Sequence, residues 1–212
     1  TQHDAVLGRM PLAQVRLILE MYVRRFRALA TNDSRVRQVV LFRNQGKRAG
    51  TSLAHPHAQI VATPVVSPEI RRRMQDEIAY YDSTGSCGLC DICAAERAAG
   101  DRVVHESEQF VTIAPYASRV SYQLQVAPRV HRATFADIDG AAIDDLAAHL
   151  CHVLGALEHL LDRPHYNLVI MTPPLDQVHA LANHWFIDIL PRLATPAGFE
   201  MGSRIIINAK PP

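Results

Sequence analysis

One pattern occurs twice along this chain and restricts its fold more than any single motif does. Between Pro11 and about Ala30, the apolar residues Leu12, Val15, Leu17, Ile18, Tyr22, Phe26 and Leu29 recur at the spacing of an amphipathic helix, and Pro11 suits a first helical turn. Val36 to Phe42 then reads as a strand, the loop RNQGKRAGTSLA carries glycines, and a second strand runs from about His55 to Ala62. About 128 residues later the order returns: a long helix from about Asp137 to Leu161, YNLVIMTPP as a strand, a loop, and HWFIDILPRL as another strand. Between the copies, Ser67 to Tyr81 reads as a charged helix with Ser67 as N-cap and Pro68 in its first position, followed by strands near Arg102–Val104, Gln109–Ile113 and Tyr122–Val126.

The histidines follow the repeat. His3 precedes His55 by 52 positions, and His131 precedes His184 by 53. Superposing HPHAQ on HWFID pairs His55 with His184 and His57 with Phe186, so only the first copy keeps a second histidine. In an extended strand His55, His57 and Gln59 would share one face, where two imidazoles and an amide look like a site; a polar solvent face on an edge strand gives the same alternation. Upstream of His131, SCGLCDIC supplies Cys87, Cys90 and Cys93. Cys87, Cys90, His131 and His184 compose a Cys2His2 set of the kind that closes a tetrahedral structural zinc site. Cys90 and Cys93 form a competing C-x-x-C, for which a redox pair or a packed thiol cluster is the alternative. Cys151 reads as core, and His105, His149, His152, His159, His165 and His179 as surface or satisfied core histidines.

If the halves are copies, the first should own a matching metal site from His3, His55 and a C-x-x-C upstream of residue 1. The chain opens TQHDAVLG without an initiator methionine, and the repeat predicts a further N-terminal segment of some tens of residues. His57 is then free for chemistry. A neutral imidazole attacks phosphorus at physiological pH, and a glycine-bearing loop just before it can bring backbone amides against phosphate oxygens. A Walker P-loop is excluded, since NQGKRAGTS lacks the GK[ST] ending.

Composition limits the partners. A net charge of +1 with mixed signs gives no broad field for nucleic acid or an acidic membrane, and 212 residues at 48% hydrophobic can bury one large core or two small ones. No stretch reaches the roughly 18 uncharged apolar residues of a membrane span, and no signal-peptide pattern opens the chain, which makes the cytoplasm the expected compartment.

NQGKRAGTSLAHPHAQI resembles the active-site motif of the galactose-1-phosphate uridylyltransferases, a branch of the histidine-triad superfamily; the related ADP-glucose phosphorylases share its loop. The likeness continues through APYAS and VAPRVH to HWFIDILPRLATPAGFEMG. It implies an α+β fold of tandem histidine-triad-like lobes, antiparallel sheets packed with helices, divided here into residues 1–83 and 84–212, and a homodimer. By position it makes His57 the nucleophile and Gln59 the hydrogen-bonding partner of the transferred phosphoryl group. Asn44, Gly50, Thr51 and Ser52 would line the phosphate and sugar-phosphate pocket, and Gly198, Phe199, Glu200 and Gly202 would lie on a late loop closing over the hexose phosphate. His55 and His3 would serve a first metal site, and Cys87, Cys90, His131 and His184 a second, with zinc as the structural metal and iron the alternative at one site.

The reaction so implied is ping-pong uridylyl transfer from UDP-glucose to galactose 1-phosphate through a uridylyl-His57 intermediate. HWF and GFExG resemble the ADP-glucose phosphorylase branch more closely, so adenylyl transfer is the alternative. A histidine-triad hydrolase would carry a third alternating histidine where this chain has Gln59, whose amide is no proton donor of the required kind. A non-catalytic zinc-binding lobe serving a separate N-terminal half is the reading from another class.

Overall fold

The computed structural model describes residues 5–51, 53, 55, 57–195, 197–208 and 210. Its elements in chain order are α1 (Leu12–Asn32), β1 (Gln38–Gln45), β2 (Ala58–Thr63), α2 (Pro68–Thr84), α3 (Gly88–Ala99), β3 (Val103–Glu106), β4 (Phe110–Ile113), β5 (Leu124–Pro128), α4 (Gly140–Leu161), β6 (Tyr166–Met171), β7 (Phe186–Pro191) and α5 (Gly198–Ser203). The fold is α+β, and all seven strands form one antiparallel sheet in the order β2-β1-β6-β7-β5-β4-β3. The two copies of the repeat therefore do not keep separate sheets: β1 pairs with β6 and joins them.

The repeat is real in the ladders. Helix-facing Leu41 pairs with Ile60 in the first copy, and helix-facing Leu168 pairs with Ile189 in the second. Ile60 and Ile189 are 129 positions apart (189 − 60), the same offset that sets His55 on His184 and Gln59 on Asp188. Helices α1 and α4 lie on one face of the sheet and pack against each other through Val15, Leu19 and Phe26 of α1 and Leu146, Leu150 and Leu154 of α4. That burial, at roughly 1.5–3 kcal/mol for each large side chain, makes the main core. An ion pair between Arg16 and Asp144 links the same helices outside it.

The opposite face is covered only in part. In β4, Phe110 points into the main core while Val111 and Ile113 face a second cluster with Cys93, Ala127, Leu89 and Phe186, so α3 covers the β3–β5 side. Over β1 and β2 the face away from α1 carries Phe42, Asn44, Gln59 and Val61. No described helix is long and apolar enough to cross a membrane.

Three expectations change at the level of elements. The strand expected from His55 begins at Ala58, where pairing with β1 stops at Arg43↔Ala58. The cysteine cluster, expected only as a motif, forms a full helix, α3, with Cys87 as its N-cap residue and Gly100 ending it in a left-handed conformation. The late GFEMG segment, expected as a loop, is the short helix α5. Ser67 does cap α2, its hydroxyl accepting from the Ile70 N–H at 3.3 Å. The expected division at 83/84 falls at the end of α2.

Candidate functional site

The metal cluster is assembled by topology. His131 follows the end of β5 and His184 precedes the start of β7, and because β5 and β7 are antiparallel neighbours the two histidines meet at one end of the sheet. A hydrogen bond from Trp185 N to Arg132 O fastens them there. α3 brings the cysteines: Cys87 at its N-cap and Cys90 within its first turn. One ligand atom from each of Cys87, Cys90, His131 and His184 lies within 4.8 Å of the others. Cys90 Sγ is 3.5 Å from His131 Nδ1 and 3.4 Å from His184 Nδ1, and Cys87 Sγ is 3.8 Å from His184 Nδ1. A tetrahedron with metal–ligand bonds of about 2.0–2.3 Å has edges of about 3.5 Å, so these separations suit one tetrahedral ion.

Protonation agrees with that use. His131 Nε2 sits 2.8 Å from the Ala180 carbonyl, which only accepts, so Nε2 carries the proton and Nδ1 offers its lone pair to the cluster. His184 Nε2 is buried with no partner among the described residues. The hydrogen bond from Cys90, with His184 beside it, holds the Cys87 thiol down to about 3, and the Cys87 anion together with burial pushes the Cys90 thiol up. The two sulfurs thus share one proton, held on Cys90 and given up by Cys87, and a cation bound between them would favour the thiolate form of both. Behind the cluster, Asn183 donates to Glu77 Oε2 at 2.7 Å and accepts from His179 N at 2.7 Å, which ties the loop before His184 to α2. Cys93, the alternative ligand, lies in the apolar cluster with Val111, Ile113 and Ala127, where burial pushes its thiol up to about 11.

The second constellation lies on the helix-free face. β1 pairs with β2 as Phe42↔Gln59 and Arg43↔Ala58, and His57 immediately precedes the first paired residue of β2. His57 Nδ1 is 3.1 Å from the carbonyl oxygen of His55. That oxygen only accepts, so Nδ1 carries the proton and Nε2 keeps its lone pair. The His55 ring lies 6.0 Å from that of His57, tilted by 59°. Gln59 is exposed in β2. His3 and Ser52 lie outside the described residues.

Between β1 and the histidines the chain makes a short 3-10 turn, Lys47–Ala49, flanked by Gly46 at φ +82° and Gly50 at φ +88°. Thr51 Oγ1 donates to Asn44 O at 2.9 Å and closes the loop. The second half of the chain holds this loop in place. The Arg48 N–H donates to His165 Nδ1 at 3.0 Å, and Asn167 Nδ2 donates to both Asn44 Oδ1 (2.7 Å) and Ala49 O (2.8 Å). A Cβ on Gly46 would stand 2.2 Å from His165 Cδ2, so glycine is required there by contact as well as by φ. His165, Asn167 and Arg192 are the functional neighbours that motif reading missed: His165 was read as a surface or core histidine, and only the β1–β6 pairing, Asn44↔Asn167, would have pointed to them.

In α5, Phe199 is 55% exposed and Glu200 Oε2 accepts from Ala197 N at 3.0 Å, with Gly198 and Gly202 at the surface. Glu200 also lines a 310 Å³ cavity with Arg119, Arg192 and Asn208.

A glycine loop and an His-x-His-x-Gln segment on one copy, and a Cys2His2 cluster on the other, thus share one antiparallel sheet. Residues 1–67 match the model described as galactose-1-phosphate uridyl transferase, N-terminal domain. The chain is 34% identical over 193 residues to an ADP-glucose phosphorylase of Arabidopsis thaliana, covering 90% of this chain and 53% of that one. It is 27% identical over 216 residues to a galactose-1-phosphate uridylyltransferase of Thermotoga maritima, covering 98% and 67%. The solved structure of a GalT-like protein from Arabidopsis thaliana superposes with a TM-score of 0.92 at 31% identity, over 100% of this chain and 69% of that one. The chain belongs to the galactose-1-phosphate uridylyltransferase family. It spans about half the length of the first of these relatives and two thirds of the second.

Proposed function

We propose that the protein is a nucleotidyltransferase that passes a nucleoside monophosphate from a nucleotide sugar to a phosphate-bearing acceptor through a covalent adduct on His57 Nε2. The observation that carries this reading is the His57–His55 carbonyl contact, which puts the proton on Nδ1 and leaves the Nε2 lone pair for attack. His57 Nε2 attacks the α-phosphorus of UDP-glucose; the bond to the bridging oxygen breaks and glucose 1-phosphate leaves with that electron pair. A phosphate oxygen of galactose 1-phosphate then attacks the same phosphorus, the N–P bond breaks, and neutral imidazole returns. Gln59, Asn44, Thr51, Ser52 and the Gly50 backbone supply hydrogen bonds to the phosphoryl oxygens as charge develops. Gly198, Phe199, Glu200 and Gly202 serve the hexose phosphate, and an assembly of two copies is the form in which we expect α5 to do so.

The 34% identity to an ADP-glucose phosphorylase favours a second donor reading, adenylyl transfer from ADP-glucose to inorganic phosphate. Separate incubations decide between them: UDP-galactose formed from UDP-glucose and galactose 1-phosphate supports the first, ADP formed from ADP-glucose and phosphate the second. Free nucleoside monophosphate as the sole product of both would contradict transfer.

Cys87, Cys90, His131 and His184 hold a structural zinc ion in this reading, and His55 with His3 contributes to a separate metal site in the first half. When bound, zinc fixes α3 to the ends of β5 and β7; no chemical step is routed through it. Structural zinc contributes on the order of 10 kcal/mol to folding. Cys87→Ser should therefore lower the melting temperature markedly and reduce bound zinc measured by elemental analysis, whereas Cys93→Ala should leave the zinc content unchanged. Equal zinc and equal melting temperature in Cys87→Ser and the parent would exclude the assignment.

A further inference from the structure

Asn44, next to last in β1, has a side chain whose two edges are chemically opposite, one an acceptor and one a double donor. Three neighbouring groups decide which edge is turned toward the glycine loop. The Ala49 carbonyl only accepts, and it takes a hydrogen bond from Asn167 Nδ2 at 2.8 Å. The Arg192 guanidinium only donates, and its Nε meets Asn167 Oδ1. Asn167 is thus fixed in one orientation from both ends, with no freedom to exchange its oxygen and nitrogen. Its remaining Nδ2 hydrogen goes to Asn44 at 2.7 Å, and the atom receiving it must be the oxygen. The Asn44 Nδ2 is therefore left on the side of Gly50, 3.9 Å from where a Cβ on that glycine would be.

Asn167 is buried at 8% exposure, so this orientation is enforced where water competes little. Arg192 is anchored in turn by its own backbone N–H, which donates to His165 O at 2.7 Å. Both residues belong to the second copy of the repeat and the loop to the first.

We propose that Asn167, clamped by Arg192, is a positioning residue that holds the Asn44 side chain with its amide donors turned toward the glycine loop. This end of the loop then favours acceptor atoms, of which the charged phosphoryl oxygens are the strongest that a nucleotide sugar offers. The ligand in this statement rests on the reading of His57 as nucleophile; the orientation of Asn44 does not.

Two measurements on the whole chain test it. Side-chain NH2 resonances of Asn44, identified by their loss in Asn44→Asp, should shift in Arg192→Ala and shift further in Asn167→Asp, which sets carboxylate oxygens opposite Asn44 Oδ1 and Ala49 O. Arg192→Lys, which keeps the cation, serves if Arg192→Ala fails to fold, and should shift them less than the alanine. With UDP-glucose or ADP-glucose, the single-turnover rate of adduct formation should fall about tenfold to a hundredfold in Asn167→Asp, while the donor Kd changes by less than about threefold. Resonances unmoved in the Arg192 variants, or a Kd that weakens as much as the rate falls, would overturn the proposal. A parent protein that forms no adduct contradicts the nucleophile reading, and the resonance shifts still decide the positioning.

Discussion

His149 shows how a side chain can be explained without function. It sits on α4 under the sheet, with Nδ1 2.8 Å from Ser107 Oγ and Nε2 2.6 Å from Thr112 Oγ1, and burial followed by the neighbouring His105 depresses its pKa to about 4. A histidine whose pKa is lower folded than unfolded costs nothing above the unfolded value near 6.5 and loses stability as pH falls from there toward 4. The loss amounts to at most about 3 kcal/mol. Urea unfolding of the parent and of His149→Gln between pH 7 and 4 should therefore give a shallower decline in the variant; parallel curves would remove His149 as the cause. At this scale the short, local motifs Cys-x-x-C and His-x-His-x-Gln point to the cysteines that the structure gathers with His131 and His184 and to the proposed nucleophile. Motif reading missed His165 and Asn167, which reach the loop by hydrogen bonds across more than a hundred positions of chain, and Arg192, which meets Asn167 from 25 positions away.

Among the elements, helices were the most legible, since α1 and α4 keep apolar periodicity over five or more turns and Ser67 caps α2 with its own hydroxyl. α3 escaped notice because it is short and two of its faces are used, Cys93 toward the apolar cluster and Cys90 toward His131 and His184. The start of β2 was misplaced by three residues, as alternation of His55, His57 and Gln59 continues in sequence beyond the point where pairing with β1 stops. The glycine loop carries its own prediction. Gly46→Ala meets both a positive φ and the His165 ring, so it should destabilise the fold by about 1–3 kcal/mol and disturb the Arg48–His165 hydrogen bond. Adding His165→Ala should relieve the contact and leave the φ penalty, so the double variant should unfold at a lower urea concentration than His165→Ala alone; coincident transitions for those two would show that the backbone tolerates alanine there.

For the molecule as a whole, the doubled pattern carried the most information, and its consequence was still not visible from the chain. Two copies of helix, strand, loop and strand are compatible with separate sheets, and nothing local says that β1 and β6 pair; apolar Leu41 opposite Ile170 on the helix face makes that pairing possible. The fusion explains the division of labour. The first copy supplies His57 and its loop, the second supplies the strand that orders the loop, and a Cys2His2 cluster fastens α3 to β5 and β7. Chelation should then separate two effects: it should lower the melting temperature of the chain, and it should spare adduct formation at temperatures where the fold survives.

Covalent nucleotidylation of His57 can be read by intact-protein mass spectrometry. The parent and His57→Ala would each be incubated with UDP-glucose and, separately, with ADP-glucose. A mass increase of one nucleoside monophosphate is expected in the parent with one of the two donors and none in His57→Ala, whose melting temperature should match the parent's. Unmodified parent protein with both donors, or the same adduct on His57→Ala, would contradict it.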